Sequence, residues 1–141
     1  MTESHTQKFH PREVELARQM AENGDIEWEV QTGDWFYYDG QHHTVFQVEG
    51  DGEDAVLIGQ NANRYKQSEV VPLRHRTDCR EWLLKNDYDI EIQNLPDDQY
   101  RAIARKRKTE FAIERIEPTE LAAFYSVLLE IGEIRHMGGW G

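Results

Sequence analysis

The chain has little cysteine and no long apolar run. Cys79 is the single cysteine among 141 residues, and the longest apolar run extends only from Leu121 to Tyr125. One cysteine excludes an internal disulfide framework and is typical of a reducing compartment. A run this short cannot span a bilayer, and residues 1–5 lack the basic and apolar regions of a secretory signal. These absences predict a cytoplasmic protein that does not act at a membrane.

Positive charge is missing from a long part of the chain. No Lys or Arg occurs from Gln19 to Asn63, where there are ten Asp or Glu residues, and the whole chain has a net charge of −11. Residues 1–70 hold 14 acidic and 5 basic side chains, whereas residues 71–141 hold 13 and 11. The first half should repel phosphate groups. Its acidity either serves solubility, or mimics a nucleic acid, or forms a surface that docks a basic partner.

Sequence motifs with a known chemistry are missing as well. The chain contains no glycine-rich phosphate loop, nucleophile elbow, zinc-protease helix or Cys-x-x-Cys pair. His42 and His43 are neighbours on a predicted strand, so their side chains point to opposite faces. His75 and Cys79 supply only two of the three or four ligands that zinc requires. We therefore predict no catalytic residue, no cofactor and no metal site, and we predict that the protein is not an enzyme.

The first half of the chain predicts a helix followed by a small barrel. Pro11 opens the helix and Asn23-Gly24 ends it. Asp39-Gly40 is a strong hairpin signal, and Pro72 should end the sheet because proline lacks a backbone donor. Short strands at such close spacing indicate a barrel or a curled sheet. The predicted strands are 26–30, 35–38, 44–48, 55–58, 64–66 and 69–71, with a turn at 50–54.

The second half predicts a helix, three strands and a helix. Thr77 is the expected N-cap of a helix that ends near Asn86, and alternating apolar residues predict a strand at 88–93. Residues 99–116 fit either a hairpin around 105–108 or a helix, and we favour the hairpin. Pro118 should open the last helix and Gly132 should end it.

These elements predict an α+β fold with an N-terminal helix, a small SH3-like β-barrel and an α-β-β-β-α lobe. The predicted division has four parts. They are a flexible leader at 1–10, the helix with the barrel at 11–75, the α-β-β-β-α lobe at 76–132 and a flexible tail at 133–141.

Several of these segments carry a resemblance. Three segments resemble the small SH3-like barrel of uncharacterised bacteriophage and prophage proteins. They are residues 33–40, the strand 45–48 and the segment 69–73, which ends in Pro-Leu. The second half, which includes the Glu-Pro-Thr-Glu-Leu segment at 117–121, also resembles small phage-type proteins. The likeness covers residues 11–131. It implies an accessory phage or prophage protein, and it brings no activity and no catalytic residues.

Two groups of residues are candidates for binding a partner. Trp35 and Tyr37 lie on one face of an aromatic strand, which is either covered by the N-terminal helix or exposed as a groove for a peptide. The basic cluster, Arg105, Lys106, Arg107 and Lys108, can hold phosphates or an acidic protein, or it can compensate the acidic half within the chain. We expect an interaction protein that binds another protein. The alternative is nucleic-acid binding through the hairpin from Arg101 to Lys108.

Overall fold

The structure is a computed structural model, and it describes residues 9–23, 31–50 and 55–136. The strand predicted at 26–30 and most of the turn predicted at 50–54 lie outside these residues. Within them the chain forms three α-helices and eight β-strands. In chain order they are α1 (Pro11–Asn23), β1 (Trp35–Tyr38), β2 (Gln41–Glu49), β3 (Val56–Gly59), β4 (Arg64–Lys66), β5 (Val71–Leu73), α2 (Arg76–Lys85), β6 (Tyr88–Leu95), β7 (Gln99–Lys106), β8 (Ala112–Glu117) and α3 (Glu120–His136).

The first five strands form a curled antiparallel sheet in the order β4-β3-β2-β1-β5, which is half of a barrel. The hairpin between β1 and β2 turns at Asp39 and Gly40, whose φ angles are 50° and 81°. Two successive positive φ angles are the mark of the tight turn that suits twisted strands, so the predicted hairpin is confirmed.

A bulge in β2 interrupts the alternation of faces that a regular strand would show over 44–48. The register of β2 against β3 shifts between Val45 and Gln47. Val45 and Val48 both contribute to the core of the half-barrel, although they are three residues apart, and Phe46 between them is 64% exposed. Simple alternation would put Val48 with Phe46, and it fails here because a bulge inserts one extra residue into a strand.

Pro72 does not end the sheet as predicted but lies inside β5, opposite Phe36 of β1. Among the residues that the structure describes, β5 is the last strand of its sheet and has β1 as its one hydrogen-bonded neighbour. Proline is tolerated in an edge strand because its missing N–H can face away from the neighbouring strand.

The remaining strands form a second antiparallel sheet, β6-β7-β8, between α2 and α3 in the chain. The predicted helix, three strands and helix are therefore confirmed, and residues 99–116 are a hairpin rather than a helix. A one-turn 3-10 helix at Pro96–Asp98 connects β6 to β7.

Three predicted helix boundaries are wrong. The last helix begins at Glu120 rather than at Pro118, and the hydroxyl of Thr119 caps it by accepting from the backbone N–H of Ala122 at 3.0 Å. The N-cap of α2 is His75 rather than Thr77, and its backbone N–H donates to Oδ2 of Asp78 at 3.3 Å. The helix α3 continues through Gly132 to His136, and Gly132 itself is buried. A glycine weakens a helix but does not stop it when packing favours the helical conformation. The start of the predicted tail is thus helical, and residues 137–141 lie outside the described part.

The described residues form two hydrophobic cores. The smaller core lies inside the half-barrel and contains Phe36, Val45, Leu57, Tyr65 and Val70. The larger core lies between the three helices and the second sheet, and α1 and Leu73 of β5 belong to it. Residues from 11–75 therefore pack in both cores. The division of the chain into domains stays a prediction.

Candidate functional site

The aromatic residues of β1 divide between the two cores. Phe36 is fully buried in the smaller core, where its ring is 5.0 Å from that of Tyr65. Trp35 and Tyr37 point to the opposite face, and both are partly buried against the larger core. Alternate residues of a strand face opposite sides, so one strand can contribute to both cores. The two predicted binding residues of β1 are partly covered, and each retains an accessible part.

Tyr37 lines an open groove at the end of β1, which we call the tyrosine groove. Its volume is about 540 Å³, and Tyr38 beside it is 39% exposed. The ring of Tyr38 packs edge-on against Tyr65 at 4.9 Å. The groove is lined by Arg18, Tyr37, Tyr38, Asp39, Gly40, Glu69 and Val71.

Trp35 lines a separate cleft at the other end of β1. Its volume is about 610 Å³, and the ends of three helices surround it. His10, which precedes α1, and Glu13 of α1 line this cleft, whereas Arg18 of α1 lines the tyrosine groove. The two candidate residues Trp35 and Tyr37 are thus not brought into one site.

The basic cluster does not project as a block of positive charge. Arg105 forms an ion pair with Glu91 at 3.2 Å, and Arg107 forms one with Asp89 at 3.0 Å. Arg101 pairs with Glu114 at 3.1 Å. These three arginines therefore pair with carboxylates on neighbouring strands of the second half, whereas the alternative to phosphate binding was compensation of the acidic first half.

The two lysines of the basic cluster differ from each other. Lys106 lies on the other face of the sheet, where its ammonium is 4.8 Å from the centre of the Tyr88 ring and donates to the carbonyl of Asn86 at 3.1 Å. Lys108 is exposed in the turn between β7 and β8, with a φ of 65°. The candidate residues 105–108 thus divide between a paired outer face, a cation–π contact and an exposed turn.

The histidine and cysteine candidates of the sequence have structural surroundings. Cys79 is completely buried, and burial raises the pKa of its thiol far above the usual value, which keeps it protonated. His42 stacks on Phe9 at 5.6 Å, and His43 stacks on Phe36 at 5.2 Å. Burial lowers the pKa of His43. The two neighbouring histidines do point to opposite faces, as expected for a strand.

The described residues contain neither a group of metal ligands nor a membrane-spanning helix. No group of three or more His, Cys, Asp or Glu side chains in 9–23, 31–50 and 55–136 could hold a metal ion. None of the helices in this part of the chain is both long enough and apolar enough to cross a membrane.

Sequence reasoning missed most of the residues that line the tyrosine groove. Asp39 was identified as a turn residue, and Glu69 as part of a strand, whereas the structure puts both beside Tyr37. Glu69 is 32 residues away from Tyr37 along the chain. The pairing of β1 with β5, which sets Tyr37 opposite Val71, brings them together. No local sequence pattern predicts the pairing of β1 with β5, because it depends on how the whole sheet closes.

Comparison with known proteins finds no relative from which a role could be transferred. No protein-family model matches the chain, and no curated protein and no solved structure is significantly similar to it.

Proposed function

We propose that this chain is a non-enzymatic interaction protein, and that the tyrosine groove binds a basic segment of another protein. The observation that carries the proposal is an exposed aromatic surface beside carboxylates in an acidic part of the chain. Tyr38 is 39% exposed, Asp39 and Glu69 are exposed beside it, and no Lys or Arg occurs between residues 19 and 63.

The chemistry of the groove suits a lysine or arginine side chain. A cation is attracted to the face of a tyrosine ring, and a nearby carboxylate adds to this attraction. Arg18 is the one basic residue in the lining, opposed by Asp39 and Glu69. The long-range field of a chain with a net charge of −11 also attracts a basic partner and raises its rate of association.

The ion pairs of the basic cluster favour a protein partner over nucleic acid. Binding of a nucleic acid needs Lys or Arg side chains that are free to neutralise its phosphates, which releases the counterions condensed on it. Arg101, Arg105 and Arg107 already pair with Glu114, Glu91 and Asp89. A phosphate that bound these arginines would lie close to the three carboxylates, whose negative charge repels it.

The curled sheet supports two further parts of the proposal. Five short antiparallel strands that curl into half of a barrel are compatible with an SH3-like barrel, and we propose that architecture for residues 35–73. An accessory role in a bacteriophage or prophage would follow from the resemblance of 33–40 and 69–73 to such proteins.

A peptide titration of the full chain tests the proposal. The probes are two peptides of equal length, one alternating Lys or Arg with Leu and one with Glu in place of each basic residue. We expect the basic peptide to shift the backbone amide NMR signals of 37–40 and 69–71, and the acidic peptide to leave them unchanged. The Asp39→Asn, Glu69→Gln double variant should bind the basic peptide about tenfold more weakly, because two carboxylates are lost.

A matched variant separates the groove from general charge. Asp97→Asn with Asp98→Asn also removes two negative charges from exposed positions, and asparagine tolerates the positive φ that Asp39, Asp97 and Asp98 share. This control lies in the connection between β6 and β7. Equal weakening by both double variants, or shifts that lie outside the groove, would show that the groove is not the site.

The nucleic-acid alternative has its own test. Titration with short single- and double-stranded DNA and RNA should produce no salt-sensitive shifts in residues 101–108. If such shifts occur and the double variant Lys106→Glu, Arg107→Glu removes them, nucleic-acid binding replaces the protein-partner proposal.

A further inference from the structure

The cleft beside Trp35 differs from the tyrosine groove in both shape and charge. It is lined by Phe9, His10, Glu13, Trp35, His75, Arg76, Thr119 and Leu121. Its volume of about 610 Å³ falls within the range of roughly 300–1,000 Å³ that is typical of small-molecule sites. It contains aromatic and aliphatic surface together with three side chains that carry or can gain positive charge.

The apolar part of the cleft is an aromatic corner. Phe9 is 8% exposed, and its ring meets that of Trp35 at a centroid distance of 6.0 Å and an angle of 62°. Leu121 adds an aliphatic surface and is partly buried. Phe9 also stacks on His42, so a third flat group would meet the partly exposed ring of Trp35, either by stacking or edge-on.

The polar part of the cleft presents hydrogen-bond donors. Nδ1 of His10 accepts a hydrogen bond from the backbone N–H of Arg12 at 3.0 Å. The neutral imidazole of His10 therefore carries its proton on Nε2, which is left as a donor. Arg76 is 63% exposed and pairs with Glu120 at the start of α3, and exposed His75 lies next to it.

The one acidic residue in the lining is already engaged. Glu13 is 7% exposed, and its Oε1 accepts a hydrogen bond from the backbone N–H of His10 at 2.9 Å. Its Oε2 accepts one from the hydroxyl of Thr119 at 2.5 Å. A carboxylate with both oxygens engaged offers little attraction for a cation. Glu120 pairs with Nη1 of Arg76, so an incoming anion would accept hydrogen bonds from the other guanidinium donors and from Nε2 of His10.

We propose that this cleft binds a small aromatic anion. Its flat apolar body contacts Trp35 and Phe9, and its anionic group accepts hydrogen bonds from Arg76 and from Nε2 of His10. The anionic group is a phosphate or a carboxylate, since a guanidinium matches the geometry of both. This site is distinct from the tyrosine groove, and it does not depend on the proposed protein partner.

NMR titration of the full chain with four small probes tests this site. The probes are phenyl phosphate, phenylacetate, inorganic phosphate and phenol. We expect at least one of the two aromatic anions to shift the indole N–H signal of Trp35 saturably, with an affinity about tenfold higher than phosphate or phenol, because each of these lacks one half of the recognition. The tighter of the two aromatic anions identifies the anionic group.

Paired arginine variants complete the experiment. Arg76→Gln should weaken the tighter aromatic anion about tenfold through loss of a charge-assisted hydrogen bond. Arg64→Gln should leave it unchanged, since Arg64 also forms an exposed ion pair, with Glu49 on the half-barrel. Trp35 shifts that do not saturate, or that persist unchanged in Arg76→Gln, would overturn the proposal. Binding of the tighter aromatic anion that is no stronger than that of inorganic phosphate or phenol would overturn it too.

Discussion

The half-barrel and the helix-covered sheet bury their apolar side chains in different ways. The sheet β6-β7-β8 uses one face for the larger core, where α2 and α3 pack against it. The half-barrel curls around its own smaller core, in which Phe36, Leu57 and Tyr65 are prominent. An antiparallel sheet can leave one face to solvent when helices cover the other, whereas a curled sheet covers itself.

The strand β1 is where the two regions meet, and the candidate binding surfaces lie at its ends. Phe36 belongs to the smaller core, while Trp35 and Tyr37 pack against the larger one. The cleft beside Trp35 and the tyrosine groove beside Tyr37 open at the two ends of this aromatic face. Places where packed regions meet leave concave surfaces, which is where ligands commonly bind.

Removal of the Phe36 ring should have the largest effect on stability. The Phe36→Ala variant is expected to lose about 3–5 kcal/mol of unfolding free energy, because it leaves a cavity in a small core. Chemical denaturation measures the loss, and amide hydrogen exchange would show whether β1–β5 opens before the second sheet. Phe46→Ala is the matched control, since Phe46 is 64% exposed and its removal should cost less than about 0.5 kcal/mol. Similar losses for both variants would contradict a self-contained smaller core.

The ion pair between Arg12 and Glu117 should matter for stability at neutral pH. Nε of Arg12 donates to Oε1 of Glu117 at 2.8 Å, and Glu117 is 5% exposed. Arg12→Gln should therefore cost about 1–2 kcal/mol by removing hydrogen bonds to a buried charge. Thermal unfolding at pH 7 measures this, with Arg64→Gln as the exposed-pair control that should leave the melting temperature unchanged.

The same ion pair predicts a dependence on pH. Burial opposes the ionisation of Glu117, but hydrogen bonds from Arg12 and Ser126 prevail and hold its pKa below the ordinary value of 4.5. A lowered pKa means that this stabilisation is complete above pH 4.5 and is lost as the pH falls through the lowered pKa. In Arg12→Gln the loss should begin at a higher pH. Acid-unfolding curves in which wild type and variant begin to lose stability at the same pH would refute this.

The turn at Gly40 should show a smaller effect that comes from the backbone alone. Gly40 has a φ of 81°, and nothing lies within 4 Å of the position that a Cβ would take. Gly40→Ala should cost about 1 kcal/mol because alanine is strained at positive φ, and Gly40→Asn should cost less because asparagine tolerates it. Urea denaturation of the two variants provides the comparison. Equal costs would point to a steric origin instead.

The smallest effect is expected on the outer face of the second sheet. Arg107 and Asp89 form an ion pair at 3.0 Å, but their side chains are 42% and 64% exposed. Arg107→Gln should change the unfolding free energy by less than about 0.5 kcal/mol, since solvent and salt screen such pairs. Denaturation at low and high salt checks this. A cost comparable to that of Arg12→Gln would mean that the outer face is covered.

Local signals predicted the elements better than their ends. The proline at 11, the hairpin residues 39–40 and the alternation at 88–93 each act within a few residues, and all three predictions are confirmed. The errors at Pro72 and Gly132 share one cause. Proline usually ends a strand and glycine usually ends a helix. Pro72 is tolerated because it lies in an edge strand, and Gly132 because its helix is packed in the core.

The candidate sites were predictable only in part. Trp35 and Tyr37 were identified from the run of aromatic residues, and each does line a concave surface. Their partners Glu69 and Arg76 come from distant parts of the chain, so no spacing in the sequence connects them with β1. The positive charge of the basic cluster is evident in the sequence. Its compensation by Asp89 and Glu91 could not be predicted, because it depends on the register of β6 against β7.

The sequence by itself determined the α+β class, the order of the second-half elements and the acidity of the first half, because turn residues, periodicity and net charge are local or additive properties. Only the tertiary structure decided that α1 packs in the larger core, that a bulge exposes Phe46, and that β5 closes beside β1. These outcomes depend on which apolar faces meet and on how a sheet curls. Such choices minimise exposed area over the whole chain, so no single segment encodes them.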